Sequence, residues 1–186
     1  MKATIITDNE YQTELFQKLQ EEIIAFFENE NFKIEVINIG RDDLTYCMGC
    51  FGCWVKKPGE CVINDLMTKI NHDYMNSDIV IYLSPIIFGQ FSANIKNAID
   101  RSLPNTSLPF FITRPDGSTI HPPRYDKYPL QIIIGYTDYL DEEDKQLFMD
   151  ITKKHRKNIH VLIYQNDDKT FTNELNAIEL RMVGEH

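Results

Sequence analysis

The sequence predicts an α/β domain in which helices cover both faces of a doubly wound parallel sheet of five strands, in the order 2-1-3-4-5. Short β-rich apolar runs alternate with longer segments of helical periodicity, and this alternation implies right-handed β-α-β crossovers and a parallel sheet. The run from Asp78 to Ser84 contains Ile, Val, Tyr and Leu without polar alternation, which is typical of a strand buried on both faces. Five such strands suit this strand order.

The first three strands and the first helix follow from the periodicity of the N-terminal half. Residues 3–7 form a short buried run, and residues 33–38 alternate between polar and apolar side chains, as a second strand does. The third strand is the apolar run over 78–84. Between the first two strands, residues 13–29 carry apolar side chains at helical spacing. These are Phe16, Leu19, Ile23, Phe26 and Phe27.

The C-terminal half adds two strands and three helices. They are a helix over 92–103, strands over 130–135 and 159–164, and helices over 141–157 and 173–181. Ser92 is the predicted N-cap of the first of these helices, because a serine hydroxyl can accept from a free backbone N–H there. The helix over 141–157 begins with acidic residues and ends with Lys, His and Arg, as the helix dipole favours.

The composition predicts one globular domain over residues 1–186. Hydrophobic residues make up 42% and aromatic residues 11% of the chain, which is enough for a packed core. The formal net charge is −9, from 19 basic and 28 acidic residues, so we expect neither nucleic acid nor an anionic membrane as a partner. The N-terminus does not have the pattern of a signal peptide, and no run approaches the roughly 18 apolar residues of a membrane span. These features predict a cytoplasmic protein.

Two segments interrupt the alternation of strands and helices. The first, the cysteine loop over residues 41–64, holds all four cysteines of the chain. The second, residues 104–129, is rich in Pro, Thr, Ser and Gly, and loops of this length are usually functional or mobile. It also contains Phe110, Phe111 and Ile112, so we expect part of it to pack as a lid or as a contact between subunits.

The predicted topology brings four loops to one edge of the sheet. In a doubly wound sheet the ligand binds outside the carboxyl ends of the strands, where the strand order reverses. The loops after the first, third and fourth strands, residues 7–13, 84–91 and 135–139, lie at this edge, and the cysteine loop follows the second strand. We therefore expect all four loops to surround one crevice.

The four cysteines, Cys47, Cys50, Cys53 and Cys61, have the spacing C-x2-C-x2-C-x7-C. Thiolates at two-residue intervals can surround one face of an iron–sulfur cubane, and the intervening glycines permit the tight turns that this requires. The four cysteines are therefore candidate ligands of a [4Fe-4S] cluster. Three alternatives remain open: a four-cysteine zinc site, a reversible disulfide, and ordinary thiols in a loop that packs around Trp54.

The most specific motifs of the chain lie between Cys47 and Arg101. They are Trp54 and Pro58-Gly59-Glu60-Cys61 in the cysteine loop, and then Ser84-Pro85, Phe88-Gly89, Ser92-Ala93, Ile95-Lys96 and Ile99-Asp100-Arg101. With these motifs the sequence resembles the NAD(P)H-dependent FMN reductases, and the cysteine segment resembles their iron–sulfur flavoprotein branch. The resemblance covers roughly residues 1–165 as architecture. It implies a flavodoxin-like fold, bound FMN, and NAD(P)H as electron donor.

The resemblance implies that the loop after the third strand contacts the flavin ring. The candidate residues are Ser84, Pro85, Ile86, Ile87, Phe88 and Gly89, joined by Tyr136 after the fourth strand. Backbone N–H groups in such a loop can donate to the pyrimidine edge of the flavin. The ring of Phe88 can pack beside the isoalloxazine.

The loop after the first strand departs from the pattern of these reductases. Its candidate phosphate contacts are Thr7, Asn9 and Thr13, at the N-terminus of a predicted helix, but the loop has no glycine and no basic residue. Asp8 and Glu10 oppose a phosphate dianion. They counteract a helix dipole that contributes only about 0.3–1 kcal/mol at exposed sites.

We expect structural roles for the histidines and for the two charged residues near the end of the helix over 92–103. Asp100 and Arg101 lie late in that helix, away from the crevice, and we interpret them as a structural ion pair or a subunit contact. The five histidines show no catalytic arrangement and are expected on the surface or as helix caps. They are His72, His121, His155, His160 and His186.

Two functions follow from these features. The first is a flavin-dependent oxidoreductase that passes electrons from NAD(P)H through FMN to a quinone, free flavin, metal ion or similar small acceptor, in a homodimer or homotetramer, as the resemblance implies. The second is a binding or redox-sensing module on the same fold that has lost the flavin and uses the cysteine loop. A simple electron carrier is less favoured, because the cysteine loop and the segment 104–129 suggest a built-up substrate pocket.

Overall fold

The computed structural model describes residues 1–107, 112–115, 117, 119–155, 159–166, 170–178 and 180. Its strands are β1 (Lys2–Asp8), β2 (Lys33–Ile39), β3 (Ile79–Ile87), β4 (Gln90–Phe91), β5 (Ile112–Thr113), β6 (Thr119–Ile120), β7 (Leu130–Tyr136) and β8 (Ile159–Tyr164). Its helices are α1 (Glu14–Asn29), α2 (Gly52–Val55), α3 (Leu66–Met75), α4 (Ala93–Asp100), α5 (Glu142–His155) and α6 (Phe171–Asn176), with a 3-10 turn at Leu103–Asn105.

The five long strands form a parallel sheet in the order β2-β1-β3-β7-β8. Counted along the chain, this order is 2-1-3-4-5, which confirms the predicted fold class. The strand order reverses between β1 and β3, with β2 beyond β1 on one side and β7 and β8 beyond β3 on the other. A two-residue antiparallel partner, β4, folds back on the end of β3, and β5 pairs with β6 in a separate hairpin.

Side chains of the central strands alternate between two apolar clusters, one on each face of the sheet. On one face, Ile5 and Ile81 pack with buried side chains of α1 and α6. On the other face, Ile6 and Tyr82 pack with buried side chains of α3, α4 and α5. β3 is buried along its whole length apart from the half-buried Ile87. Burial on both faces therefore explains the continuous apolar run of β3, as the sequence predicted.

Helix α3 was absent from the elements predicted from the sequence. Asp65 caps it, since its side chain accepts from the Met67 N–H at 3.1 Å. Met67, Ile70 and Tyr74 face the core, but so does the polar Asn71. Buried polar side chains on the inner face weaken the apolar periodicity from which a helix is recognised.

The other helices follow the prediction with shifted ends. Ser92 caps α4 as expected, accepting from the Ile95 N–H at 3.4 Å, but α4 ends at Asp100 instead of residue 103. Pro104 lies in the 3-10 turn that follows, where a residue without a backbone N–H cannot continue the α-helical ladder. The predicted helix over 173–181 is observed as α6, and residues 179 and 181 are outside the described part.

The segment 104–129 is partly structured. It contains most of the 3-10 turn and the β5–β6 hairpin, whereas Phe110 and Phe111, the proposed lid or subunit contact, lie outside the described residues. Among the described helices, none combines the length and apolar character needed to cross a membrane.

Candidate functional site

The carboxyl ends of β1, β3 and β7 lie side by side at the point where the strand order reverses. Thr7 is paired in register with Leu83, and Ser84 and Pro85 are paired with Gly135 and Tyr136. The structure therefore brings the loops after β1, β3 and β7 to one edge of the sheet, as the topology predicted. The contacts of these residues with a cofactor stay predictions. The cysteine loop instead lines a cavity of its own with Leu103 and His121, so the expectation that all four loops surround one crevice is not confirmed.

The three candidate phosphate contacts already have partners within the chain. The buried Thr7 donates from Oγ1 to Asn38 Oδ1 at 2.6 Å. The Asn9 N–H donates to the Ile39 carbonyl at 2.9 Å. Thr13 caps α1 by accepting from the Phe16 N–H at 3.2 Å. The first two bonds join the end of β1 to β2, and the third caps α1.

Asp8, at the end of β1, is a buried carboxylate inside this loop, with 1% of its surface exposed. Its Oδ1 accepts from the Glu10 N–H at 2.9 Å and from Asn94 Nδ2 at 3.0 Å. Asn94, in the first turn of α4, was not recognised from the sequence. Its position two residues after the N-cap Ser92 was the available signal, because the first turn of that helix faces the crevice.

Tyr136 closes the same end of the crevice. Its hydroxyl donates to the Tyr11 carbonyl at 3.2 Å, which ties the end of β7 to the loop after β1. Burial raises the pKa of the Tyr136 phenol above its ordinary value, and the Asp8 carboxylate and Tyr11 raise it further. Tyr136 is therefore a neutral hydrogen-bond donor at neutral pH.

The loop after β3 makes a tight turn that projects an aromatic ring into solvent. The pairing of Ile86 with Phe91 and of Ile87 with Gln90 leaves Phe88 and Gly89 at the tip, both with positive φ, 49° and 66°. A side chain at Gly89 would bring its Cβ within 2.8 Å of Leu147 Cδ2. Phe88 is 90% exposed.

Ser84 fixes the base of this turn. Its Oγ is buried, accepts from the Ser92 N–H at 3.1 Å and donates to the Pro85 carbonyl at 3.0 Å. The hydroxyl therefore joins the end of β3 to the start of α4. Phe88 thus exposes an aromatic ring at this edge of the sheet, against which a planar aromatic ligand could pack. The Asp8 end of this edge fits a phosphate dianion poorly, because the buried Asp8 carboxylate is itself negative and already accepts from the Glu10 N–H.

All four cysteines line one cavity of about 270 Å³ in the cysteine loop. Its other walls are largely apolar and include Met48, Phe51, Trp54, Val62 and Leu103. The four thiols are free; Cys47 and Cys50 are exposed, and Cys53 and Cys61 are half-buried. Within the described part of the chain, no three or more Cys, His, Asp or Glu side chains converge on a position that could hold a metal ion.

The thiols are nevertheless close enough to influence one another. Burial raises the pKa of Cys53, and the neighbouring Cys61, Cys47 and Cys50 add to the increase. The donor set is of the kind that an iron–sulfur cluster or zinc requires. Binding of either would require the four sulfur atoms to move together.

Trp54 anchors the cysteine loop to the 3-10 turn. Its Nε1–H lies 3.1 Å from the carbonyl oxygens of both Leu103 and Thr106, and its ring is 4.6 Å from that of His121. The expectation that all histidines lie on the surface or in caps is wrong for His121, which is half-buried in the cavity wall because segment 104–129 folds over Trp54. Burial lowers its pKa.

Arg101 links the cavity to α3 and α4. Its side chain is 1% exposed and forms an ion pair with Asp65, whereas Asp100, which was expected to share its structural role, pairs with Lys96. Arg101 also donates to the Thr45 carbonyl at 2.8 Å and to Cys61 Sγ at 3.4 Å. Burial alone would lower the pKa of Arg101, but the hydrogen bonds to Asp65 and Cys61 raise it above its ordinary value.

Residues 1–110 match the family model described as NADPH-dependent FMN reductase. The chain is 32% identical over 120 residues to an iron-sulfur flavoprotein of Archaeoglobus fulgidus, covering 64% of this chain and 54% of that protein. It is 34% identical over 86 residues to an iron-sulfur flavoprotein of Methanocaldococcus jannaschii, covering 46% and 44%. The chain therefore spans about half the length of these curated relatives.

Solved structures share the fold at low sequence identity. The NAD(P)H:quinone oxidoreductase of Methanothermobacter marburgensis superposes with a TM-score of 0.65 at 10% identity, covering 95% of this chain and 94% of that one. An azoreductase of Bacillus anthracis superposes with a TM-score of 0.60 at 12% identity, covering 95% and 92%. These similarities establish the flavodoxin-like fold.

Proposed function

This chain belongs to the NADPH-dependent FMN reductase family, a family of oxidoreductases, and on that premise we propose that it passes electrons from NAD(P)H through FMN to a quinone, free flavin, metal ion or similar small acceptor. The observation that carries the proposal is the exposed Phe88 on a rigid turn at the point where the strand order reverses. Ligands of doubly wound sheets bind at this edge.

The residues that would hold the flavin come from three loops. The backbone from Ser84 to Gly89 would face the ring, with Phe88 beside it, and Tyr136 would close the far side. The loop of Thr7, Asn9 and Thr13 would face the ribityl phosphate. The flavin, when bound, supplies the hydride and single-electron chemistry. The protein supplies position and exclusion of water, so we assign no catalytic acid or base.

The test is an absorbance spectrum of anaerobically purified protein, followed by titration with FMN. We expect a flavin band near ~450 nm, and the Phe88→Ala variant should bind FMN about threefold to tenfold more weakly, the equivalent of an aromatic pair. Tyr125→Ala is the matched control, since Tyr125 is also a partly exposed aromatic but lies on the segment that covers the cysteine loop. A protein that is colourless and does not bind added FMN would rule the proposal out.

The four cysteines favour an additional or alternative redox role. We propose that Cys47, Cys50, Cys53 and Cys61 bind a [4Fe-4S] cluster, because all four line one cavity and because relatives at 32% and 34% identity are iron-sulfur flavoproteins. A redox-sensing module that uses these thiols without flavin is the second candidate. Iron and sulfide analysis with a thiol count separates the two: flavin with four iron atoms per chain supports the first, and thiols or metal without flavin support the second.

We propose a homodimer or homotetramer, as the family resemblance implies, and a cytoplasmic location, as predicted from the sequence. The exposed apolar side chains of the cysteine loop, including Met48, Phe51 and Val55, are consistent with a covered surface. Sedimentation at micromolar concentration tests this. A monomer at every concentration would contradict it.

A further inference from the structure

The Asp8 carboxylate leaves one oxygen without a hydrogen-bond partner. Oδ1 accepts from the Glu10 N–H and from Asn94 Nδ2, but Oδ2 is buried and has no partner among the described residues. A buried, unpartnered carboxylate oxygen is costly and favours a neighbouring donor. The position is at the end of β1, where the loop leads into α1.

No positive charge of the described residues compensates Asp8. Arg41, a cation on the loop after β2, pairs at 3.4 Å with the exposed Glu10, and its side chain is itself 80% exposed. The groups that face Asp8 are the neutral amide of Asn94, the phenol of Tyr136 and the backbone of the loop. A ligand group that enters this end of the crevice therefore meets one net negative charge at low solvent exposure.

The amide of Glu10 is also already occupied. In phosphate-binding loops, free backbone N–H groups at a helix N-terminus donate to the phosphate oxygens. Here the Glu10 N–H donates to the Asp8 carboxylate and the Asn9 N–H donates to the Ile39 carbonyl. At the position where a phosphate would require a hydrogen-bond donor, the chain therefore places the Asp8 carboxylate, which only accepts.

We propose that Asp8 is a specificity-determining residue that disfavours phosphate, so that this chain binds riboflavin at least as tightly as FMN. The proposal rests on the proposed function, since it requires a flavin in the crevice. A ribityl hydroxyl can donate a hydrogen bond to Asp8 Oδ2. A phosphate dianion has only acceptor oxygens at neutral pH, and it is repelled by a carboxylate at close range.

The experiment measures the dissociation constants of riboflavin and FMN by quenching of flavin fluorescence, in wild type and Asp8→Asn. Asparagine keeps the Oδ1 acceptor for Glu10 and Asn94, loses the charge and places a donor at the Oδ2 position. We expect Asp8→Asn to tighten FMN binding about tenfold or more, the size expected for removing a like charge at short range. Riboflavin binding should change by less than about threefold, because no like charge is relieved and a ribityl hydroxyl can accept from the new amide N–H instead of donating to the carboxylate.

Glu10→Gln is the matched control, because Glu10 is a carboxylate in the same loop that is exposed and paired with Arg41. It should change FMN affinity by less than about threefold, since solvent screens its charge. Asp8→Ser is the second variant in case Asp8→Asn does not fold, and the thermal midpoint of each variant reports folding. An unchanged ratio of FMN to riboflavin affinity in the folded Asp8 variants would overturn the proposal. Failure of wild type and all variants to bind either flavin would instead overturn the proposed function.

Discussion

Arg101 shows how one residue joins the cysteine loop to the helices α3 and α4. Its guanidinium is buried and contacts Asp65, the Thr45 carbonyl and Cys61 Sγ. The ion pair also lowers the pKa of Asp65, against the opposing effect of burial. Because an arginine stays charged under all ordinary conditions, its guanidinium can donate to Cys61 Sγ whatever the protonation state of the other thiols.

Replacement of Arg101 by methionine should destabilise the fold. It leaves the Asp65 carboxylate, 13% exposed, without its ion-pair partner, and breaking a buried pair costs about 3 kcal/mol or more. Lys96→Met is the matched control on the same helix, since Lys96 pairs with Asp100 at the surface and such pairs contribute about 0–1 kcal/mol. Urea unfolding of the metal-free protein measures both. Equal free energies of unfolding for the two variants would show that the Arg101 pair has no special role.

The single residues of the site could be predicted from sequence only in part. The cysteine spacing and the opposing charge of Asp8 are visible in the sequence, because both depend on residue type and local position. The contacts of Asn94 with Asp8 and of Arg101 with Cys61 join residues 86 and 40 positions apart. Such pairs depend on how α4 packs against the sheet, which local patterns do not specify.

At the scale of elements, α4 connects the two candidate sites. Asn94 in its first turn contacts Asp8 at the flavin end, and Arg101 just after its last residue contacts Cys61 at the cysteine end. The two residues are seven positions apart along the chain, which corresponds to a rise of about 10 Å. A flavin and a cluster bound at these ends would be held at a fixed separation by one rigid element.

The cysteine loop is held in place mainly through Trp54, so its loosening should be measurable. Trp54→Phe removes the Nε1–H bonds to Leu103 and Thr106 but keeps an aromatic ring beside His121. Losing one to two hydrogen bonds costs about 1–2 kcal/mol. The loop should therefore open more often, and the half-buried Cys53 and Cys61 should react about tenfold faster with a disulfide reagent.

Thiol kinetics of the reduced, metal-free protein test this prediction. Wild type should show a fast phase from the exposed Cys47 and Cys50 and a slow phase from the two half-buried thiols. Trp54→Phe should accelerate only the slow phase. Tyr46→Phe, a change at a 75% exposed aromatic of the same loop, is the control and should leave both phases unchanged. A slow phase that is unchanged in Trp54→Phe would show that other contacts hold the loop.

The long strands were predictable and α3 was not, for one physical reason. β3 has apolar side chains on both faces, so its sequence is unambiguous whatever packs against it. α3 places Asn71 and Asp73 on its inner face. There Asn71 accepts from Asn105 Nδ2 at 3.0 Å and Asp73 accepts from Lys2 Nζ at 2.9 Å. These hydrogen bonds satisfy the buried polar side chains. Because the partners are distant in the chain, the local sequence pattern does not reveal that Asn71 and Asp73 can be buried.

At the scale of the whole molecule, the family match and the folded unit have different lengths. The match covers residues 1–110, which include β1, β2, β3 and most residues of the two candidate sites, but not Tyr136 or His121. The sheet continues through β7 and β8, and β7 pairs with β3 over seven residues, from Ile79–Leu130 to Pro85–Tyr136. Both apolar clusters take buried side chains from the C-terminal strands. Residues 1–110 therefore define the family, but the core is completed only by the C-terminal strands β7 and β8.

A fragment of residues 1–110 should consequently fail to fold cooperatively. Without β7, the central strand β3 becomes a sheet edge, and its buried side chains lose Ile132 and Ile134 on one face and Ile133 and Phe148 on the other. An apolar edge of this length promotes association, and the lost burial exceeds the small net stability of a domain. We expect a broad urea transition without a baseline and strong binding of a hydrophobic dye, whereas residues 1–186 should unfold in one steep transition. A steep transition in the fragment, with little dye binding, would show that the first three strands and their helices form an independent core, and that β7 and β8 serve only the site.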